Sequence, residues 1–86
     1  MTNNNLGSVL WVDDEIESLK SQILFLSNKG YDVTPISNGY DALELMQERQ
    51  FDVVLLDESM PSITCLEILQ KIKKKWADIP VVMITK

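Results

Sequence analysis

Three continuous apolar runs in this chain of 86 residues each end at a polar side chain. The runs are residues 9–12, 53–56 and 79–84. Apolar stretches of this length are typical of strands that are buried on both faces, as in parallel sheets. The polar residues that follow the runs are Asp13 with Asp14, Asp57, and Thr85. This repeated pattern predicts an α/β domain with polar groups along one edge of its sheet.

The segments between the runs have helical spacing, with apolar residues recurring every three or four positions. The predicted helices cover residues 15–28, 38–49 and 64–76. The alternating segment Tyr31 to Thr34, which precedes Pro35, predicts a half-exposed strand at the rim of the sheet. Strands and helices therefore alternate, which favours right-handed crossovers, a doubly wound parallel sheet and the strand order 2-1-3-4.

Composition excludes several kinds of function. There is no histidine, which removes Ser-His-Asp and Cys-His catalysis and most transition-metal sites. The net charge is 8 − 13 = −5, so direct binding to nucleic acid or to an anionic membrane surface is disfavoured. The single cysteine, Cys65, cannot form an internal disulfide, and neither a secretory signal nor a membrane span is evident. These features predict a cytoplasmic protein with one domain over residues 1–86.

The carboxyl ends of parallel strands meet at one edge of the sheet, so Asp13, Asp14 and Asp57 are expected to lie together. Two like charges about 4 Å apart repel by roughly 1 kcal/mol in water and about 4 kcal/mol near a protein surface. Oxygen ligands without histidine or cysteine favour Mg²⁺ as the neutralising cation. A carboxylate beside a divalent cation can accept a phosphoryl group, and Asp57 on a central strand is the best candidate.

The chain contains Asp13-Asp14-Glu15, the sequence Asp57-Glu58-Ser59-Met60-Pro61, and Thr85 at the end of a strand. In these three places it resembles the receiver domain of bacterial two-component response regulators. The resemblance covers Val9 to Lys86 and implies a flavodoxin-like fold. The stretches from Leu10 to Glu15 and from Pro80 to Lys86 are similar to regulators of the type IX secretion system, in which the receiver is joined to an alkaline-phosphatase-like output domain.

Applied residue by residue, the resemblance implies that Asp57 is the phosphoacceptor and that a sensor histidine kinase donates the phosphoryl group. Asp14 would bind Mg²⁺ directly, Asp13 would bind it through water, and the carbonyl oxygen of Ser59 would be a further ligand. Thr85 would be the switch hydroxyl. A receiver of this kind is a signalling module that controls an output domain; it is not an enzyme, and it assists only its own phosphorylation and dephosphorylation.

Receivers also carry a fifth strand that ends in lysine, followed by a last helix, and this sequence has neither. Lys86 directly follows Thr85 and does not take the place of that lysine. We therefore expect an incomplete receiver domain that lacks the fifth strand and the last two helices, is phosphorylated slowly, and self-associates through the exposed edge of its fourth strand.

Alternatives remain for the same residues. Asp13 and Asp14 could simply cap a helix, Asp57 could be a turn residue, and Thr85 could fill a strand end. An aspartate-nucleophile phosphatase is disfavoured because that class needs an acid two residues after the nucleophile, where this chain has Ser59. A non-phosphorylated interaction module is favoured by the missing lysine and disfavoured by the intact acidic set.

Overall fold

The predicted strands form one parallel sheet in the computed structural model, which describes residues 6–57 and 65–84. Its strands are β1 (Gly7–Val12), β2 (Tyr31–Ile36), β3 (Val53–Asp57) and β4 (Val81–Ile84), and its helices are α1 (Lys20–Asn28), α2 (Gly39–Glu48) and α3 (Cys65–Lys75). The strand order is β2-β1-β3-β4, and all three pairings are parallel. The predicted 2-1-3-4 order is thus confirmed. No helix in the described part of the chain is long and apolar enough to cross a bilayer.

The hydrophobic core lies between one face of the sheet and the helices α2 and α3. Leu10 and Val12 of β1 and Val54 and Leu56 of β3 point to this face, because alternate residues of a strand share a side. The helices contribute Ala42, Met46, Ile68 and Ile72, and Phe51 completes the buried cluster. The sheet is therefore anchored on this side, and the carboxyl ends of its central strands are held in fixed positions.

The first predicted helix, over residues 15–28, is divided in two. Residues Ile16–Leu19 form a 3₁₀ turn, and α1 begins only at Lys20, because Leu19 has φ −107° and ψ 11°, which is not helical. Neither piece, although fully described, has a capping hydrogen bond from a side chain or a buried residue. The apolar stripe predicted for this segment is only half-buried.

The other element bounds differ from the predictions by a few residues. Pro35 lies inside β2. This is possible because β2 is an edge strand, and on its outer side there is no neighbouring strand to which a backbone N–H would donate. The last strand begins at Val81, and Pro80 contributes only its carbonyl oxygen, which accepts from the N–H of Val54 at 3.0 Å. The predicted start of α2 is confirmed, since the Asn38 side chain accepts from the backbone N–H of Asp41 at 2.9 Å. Thr64, the first residue of the third predicted helix, lies outside the described residues.

Candidate functional site

The central strands β1 and β3 end side by side. Val12 pairs with Leu56, so the residues that follow, Asp13 and Asp57, lie next to each other at the ends of the two strands. The N–H of Asp13 donates to the carbonyl of Ile36 at 3.0 Å, which ties the end of β1 to β2. Asp57 is still part of β3 and pairs with Ile84 of β4. Backbone pairing therefore fixes both carboxyl groups at the same edge of the sheet.

Asp13, Asp14 and Asp57 form a cluster in which one carboxylate oxygen of each lies within 4.8 Å of the others. The side chains of Asp13 and Asp57 are fully buried, whereas Asp14 is exposed. We call these three residues the acidic cluster. The acidic cluster thus has two buried members and one exposed member.

The acidic cluster suits a small divalent cation. Mg²⁺ binds oxygen at about 2.1 Å, so two of its ligands on opposite sides lie about 4.2 Å apart. The carboxylate oxygens of the cluster lie within 4.8 Å of one another, so the three residues could hold such an ion. Without a cation, three carboxylates at this distance repel one another. The donor set, made only of carboxylate oxygens, fits Mg²⁺ better than a transition metal.

One contact at the site was missed by the sequence reasoning. The backbone N–H of Glu15 donates to Oδ1 of Asp13 at 2.8 Å. This bond from residue i+2 to the side chain of residue i is typical of an Asx turn. Aspartate readily forms such turns, so Asp13 at the end of a strand could have predicted the contact. The bond holds the Asp13 carboxyl in one orientation, and the Glu15 side chain takes no part in it.

We expect the variant Glu15→Pro to weaken Mg²⁺ binding by about tenfold, the loss typical when a group that orients a metal ligand is removed. Proline has no N–H to donate, and its φ near −65° does not match the −112° found at Glu15. Calorimetric titration with Mg²⁺ measures the change. The matched control, Glu15→Gln, keeps the backbone N–H and should retain most of the affinity. Equal affinities for the two variants would contradict the orienting role.

The predicted site residues are not all within the described part of the chain. Asp13, Asp14 and Asp57 are brought together as the sequence predicts. Ser59, predicted to contribute a carbonyl ligand, and Thr85, predicted to be the switch residue, lie outside the described residues. Their roles remain predictions.

Known proteins share this sequence pattern and fold. Residues 9–86 match the family model described as the response regulator receiver domain. Among curated relatives, the uncharacterized transcriptional regulatory protein YkoG of Bacillus subtilis is 34% identical over 79 residues, which are 92% of this chain and 35% of YkoG. The CpxR homolog of Haemophilus influenzae, a transcriptional regulatory protein, is 36% identical over 80 residues, which are 93% of this chain and 34% of the relative. The chain thus spans about a third of the length of these relatives.

Solved structures of response regulators have the same fold as this chain. The response regulator TrrA of Thermotoga maritima, determined in complex with Mg²⁺-BeF, matches with a TM-score of 0.84 and 32% identity over 93% of this chain and 70% of TrrA. TrrA has also been solved in complex with the histidine kinase ThkA, and in that structure it matches with the same TM-score and identity. The fold is therefore the flavodoxin-like fold of receiver structures. Sequence, fold and relatives together place the chain in the response regulator receiver domain family, the signalling module of two-component systems.

Proposed function

We propose that this chain accepts a phosphoryl group on Asp57 from the phosphohistidine of a sensor histidine kinase. The observation that carries the proposal is the burial of Asp57 at the end of β3 within the acidic cluster, where its carboxylate is held beside two others. A carboxylate in this position is a nucleophile whose charge a cation can offset. The resemblance between this chain and TrrA, which was solved with a histidine kinase, supports the choice of donor.

The chemical step exchanges one bond to phosphorus for another. A carboxylate oxygen of Asp57 attacks the phosphorus atom, and the bond from phosphorus to the histidine nitrogen breaks. The electron pair of that bond remains on the nitrogen, which then takes up a proton. Asp57 becomes an aspartyl-phosphate, so this chain is a phosphoacceptor and not an enzyme. Asp13, held by the Glu15 N–H, keeps its own carboxyl oriented towards the cluster during the exchange.

Mg²⁺ is the cofactor of the proposal, and when bound it would offset the negative charge of the phosphoryl oxygens. Asp14 would bind the ion directly, Asp13 through water, and Asp57 and the carbonyl oxygen of Ser59 would complete the protein ligands. The acidic cluster supports this assignment for three of the four residues, and the Mg²⁺-BeF complex of TrrA supports it by similarity. Thr85 is proposed as the switch hydroxyl that responds to the phosphoryl group.

Further parts of the proposal concern the partners. The sequence resemblance favours an alkaline-phosphatase-like output domain, whereas the matched relatives YkoG and the CpxR homolog are named as transcriptional regulatory proteins. We propose that the receiver acts in the cytoplasm without binding nucleic acid itself, and that it self-associates through the edge of β4. That contact would protect the β4 amides from hydrogen exchange as concentration rises. The expectation of an incomplete domain stays a prediction.

Incubation with acetyl phosphate tests the proposed function. Intact-protein mass spectrometry should detect one added phosphoryl group when Mg²⁺ is present and much less when the ion is chelated. A chain that gains no phosphoryl group, or gains it equally with and without Mg²⁺, would contradict the proposal and would favour an interaction module instead.

A further inference from the structure

Basic side chains are concentrated near the end of α3. Lys71, Lys73, Lys74 and Lys75 are four of the eight lysine and arginine residues of the chain, and all four are exposed. We call them the α3 lysines. Because α3 connects the carboxyl end of β3 to the amino end of the parallel strand β4, its last turn lies at the edge of the sheet opposite to the acidic cluster. A chain with a net charge of −5 therefore has a basic surface at this edge.

The α3 lysines form no ion pair with the acidic residues that the structure describes. Ion pairs in that part of the chain occur at Lys20 and at Arg49. Lysines three or four positions apart on a helix, such as Lys71 with Lys74 or Lys75, repel each other. The helix dipole favours cations only within the last turn, so it does not account for Lys71, which lies before that turn. An anionic partner would relieve the repulsion.

A cleft lies beside the α3 lysines, between the ends of α2 and α3. It holds about 560 Å³, and its lining includes Met46, Arg49, Phe51, Trp76 and Ile79. We call it the α2–α3 cleft. Its volume is within the range of about 300–1,000 Å³ that is typical of binding pockets. Both walls of the cleft belong to segments that the structure describes, so its shape is set by residues that are present on each side.

Each wall of the α2–α3 cleft has an aromatic ring with a cation over it. Nζ of Lys75 lies 5.2 Å from the centroid of the Trp76 ring, and Cζ of Arg49 lies 5.1 Å from that of Phe51. Phe51 is only 4% exposed and belongs to the hydrophobic core. The backbone N–H of Trp76 donates to the carbonyl of Ile72 at 2.7 Å. Both walls are therefore held in place before anything binds, which lowers the entropic cost of binding.

Two acidic residues on the α2 side of the cleft, Glu48 and Asp52, give the site a direction. Oδ2 of Asp52 accepts the backbone N–H of Ser8 at 2.7 Å, so this carboxylate already has a partner within the chain. Glu48 is exposed at the end of α2. Negative charge thus lies on the α2 side and the α3 lysines lie on the other side. An anionic occupant is therefore attracted to the α3 side of the cleft.

We propose that the α3 lysines and the α2–α3 cleft together bind a peptide segment of another protein in which acidic residues flank an apolar side chain. The acidic residues lie along the α3 lysines, and the apolar side chain enters the cleft between Phe51 and Trp76. Such an occupant offsets the repulsion among the lysines and removes apolar surface from water. A nucleic-acid strand fits less well, because its phosphates would meet the carboxyl groups of Glu48 and Asp52 in the same cleft. The site is at the opposite edge of the sheet from Asp57, so it does not depend on the proposed phosphoryl transfer.

A capped pentapeptide with one phenylalanine between two pairs of glutamates is the probe, and calorimetric titration measures its affinity. We expect a dissociation constant of about 0.1–1 mM that rises as NaCl is added. Lys74→Glu should weaken binding by about fivefold or more, because it replaces an attraction by a repulsion. The matched control is Lys20→Glu, which makes the same change in net charge at an exposed position of α1. That variant should change the affinity by no more than about twofold. Circular dichroism of each variant checks that the fold is intact.

Two further measurements test the role of the cleft. A peptide with alanine in place of the phenylalanine should bind about tenfold more weakly, because the apolar contact is lost. In nitrogen-15 spectra the indole signal of Trp76 should shift during the titration, while that of Trp11, which is buried in β1, should not. The inference is overturned if the peptide does not bind at millimolar concentration, if Lys74→Glu and Lys20→Glu bind it equally, or if an oligothymidylate of five nucleotides binds more tightly than the peptide.

Discussion

Asp57→Asn is expected to abolish the phosphoryl adduct that acetyl phosphate forms on this chain. In that reaction a carboxylate oxygen of Asp57 attacks phosphorus, and acetate leaves with the bridging oxygen. An asparagine amide has nearly the same size but no negative charge, so it fits the buried position and does not act as the nucleophile. Asp57 is fully buried at the end of β3, so a substitute has to match its size, which asparagine does.

Intact-protein mass spectrometry measures the adduct, and peptide mapping locates it. The control variant is Asp78→Asn, which removes an exposed carboxyl group in the segment between α3 and β4. It should be phosphorylated as the unmodified chain is. Asp14→Asn should slow the reaction without moving the adduct, because Asp14 is proposed to hold the cation. An adduct retained in Asp57→Asn would show that another residue is the acceptor.

Gly39→Val is expected to lower the free energy of unfolding by about 2–3 kcal/mol, near the upper end of what overpacking a core costs. Gly39 is the first residue of α2, and a Cβ atom there would lie 2.6 Å from both Cγ1 and Cδ1 of Ile68. Ile68 of α3 is fully buried, so it has little room to move away. For a domain this small the loss is a large fraction of the total stability.

Urea denaturation of four variants, Gly39→Val, Gly7→Val, Ile68→Ala and the double variant of Gly39 and Ile68, tests this close approach of α2 and α3. Gly7→Val is the control, because a Cβ at Gly7 would meet nothing closer than Oδ2 of Asp52 at 3.4 Å, and it should cost less than about 1 kcal/mol. Ile68→Ala in combination with Gly39→Val should be more stable than the sum of the single effects by about 0.5–3 kcal/mol. Strictly additive effects would mean that the two side chains do not compete for the same space.

Much of the fold could be predicted because local patterns and chain connectivity point to the same structure. The apolar run at residues 9–12 marked β1, and the helical spacing over residues 38–49 marked α2. The edge position of β2 followed from its alternating pattern and from Pro35. The break before Lys20 was not predicted, because the apolar spacing of residues 16–26 is the same for one helix as for a 3₁₀ turn followed by a shorter helix.

The acidic cluster shows which properties follow from the amino-acid sequence and which depend on the tertiary structure. The sequence by itself determined which carboxylates meet, because each follows an apolar run and parallel strands bring their carboxyl ends to one edge. Only the tertiary structure decided that Asp13 and Asp57 are buried while Asp14 is exposed, and that a backbone N–H orients Asp13. It also decided that a cleft lies beside the basic end of α3. Strand order follows from local periodicity and chain connectivity, whereas burial and side-chain contacts depend on how residues distant in sequence pack.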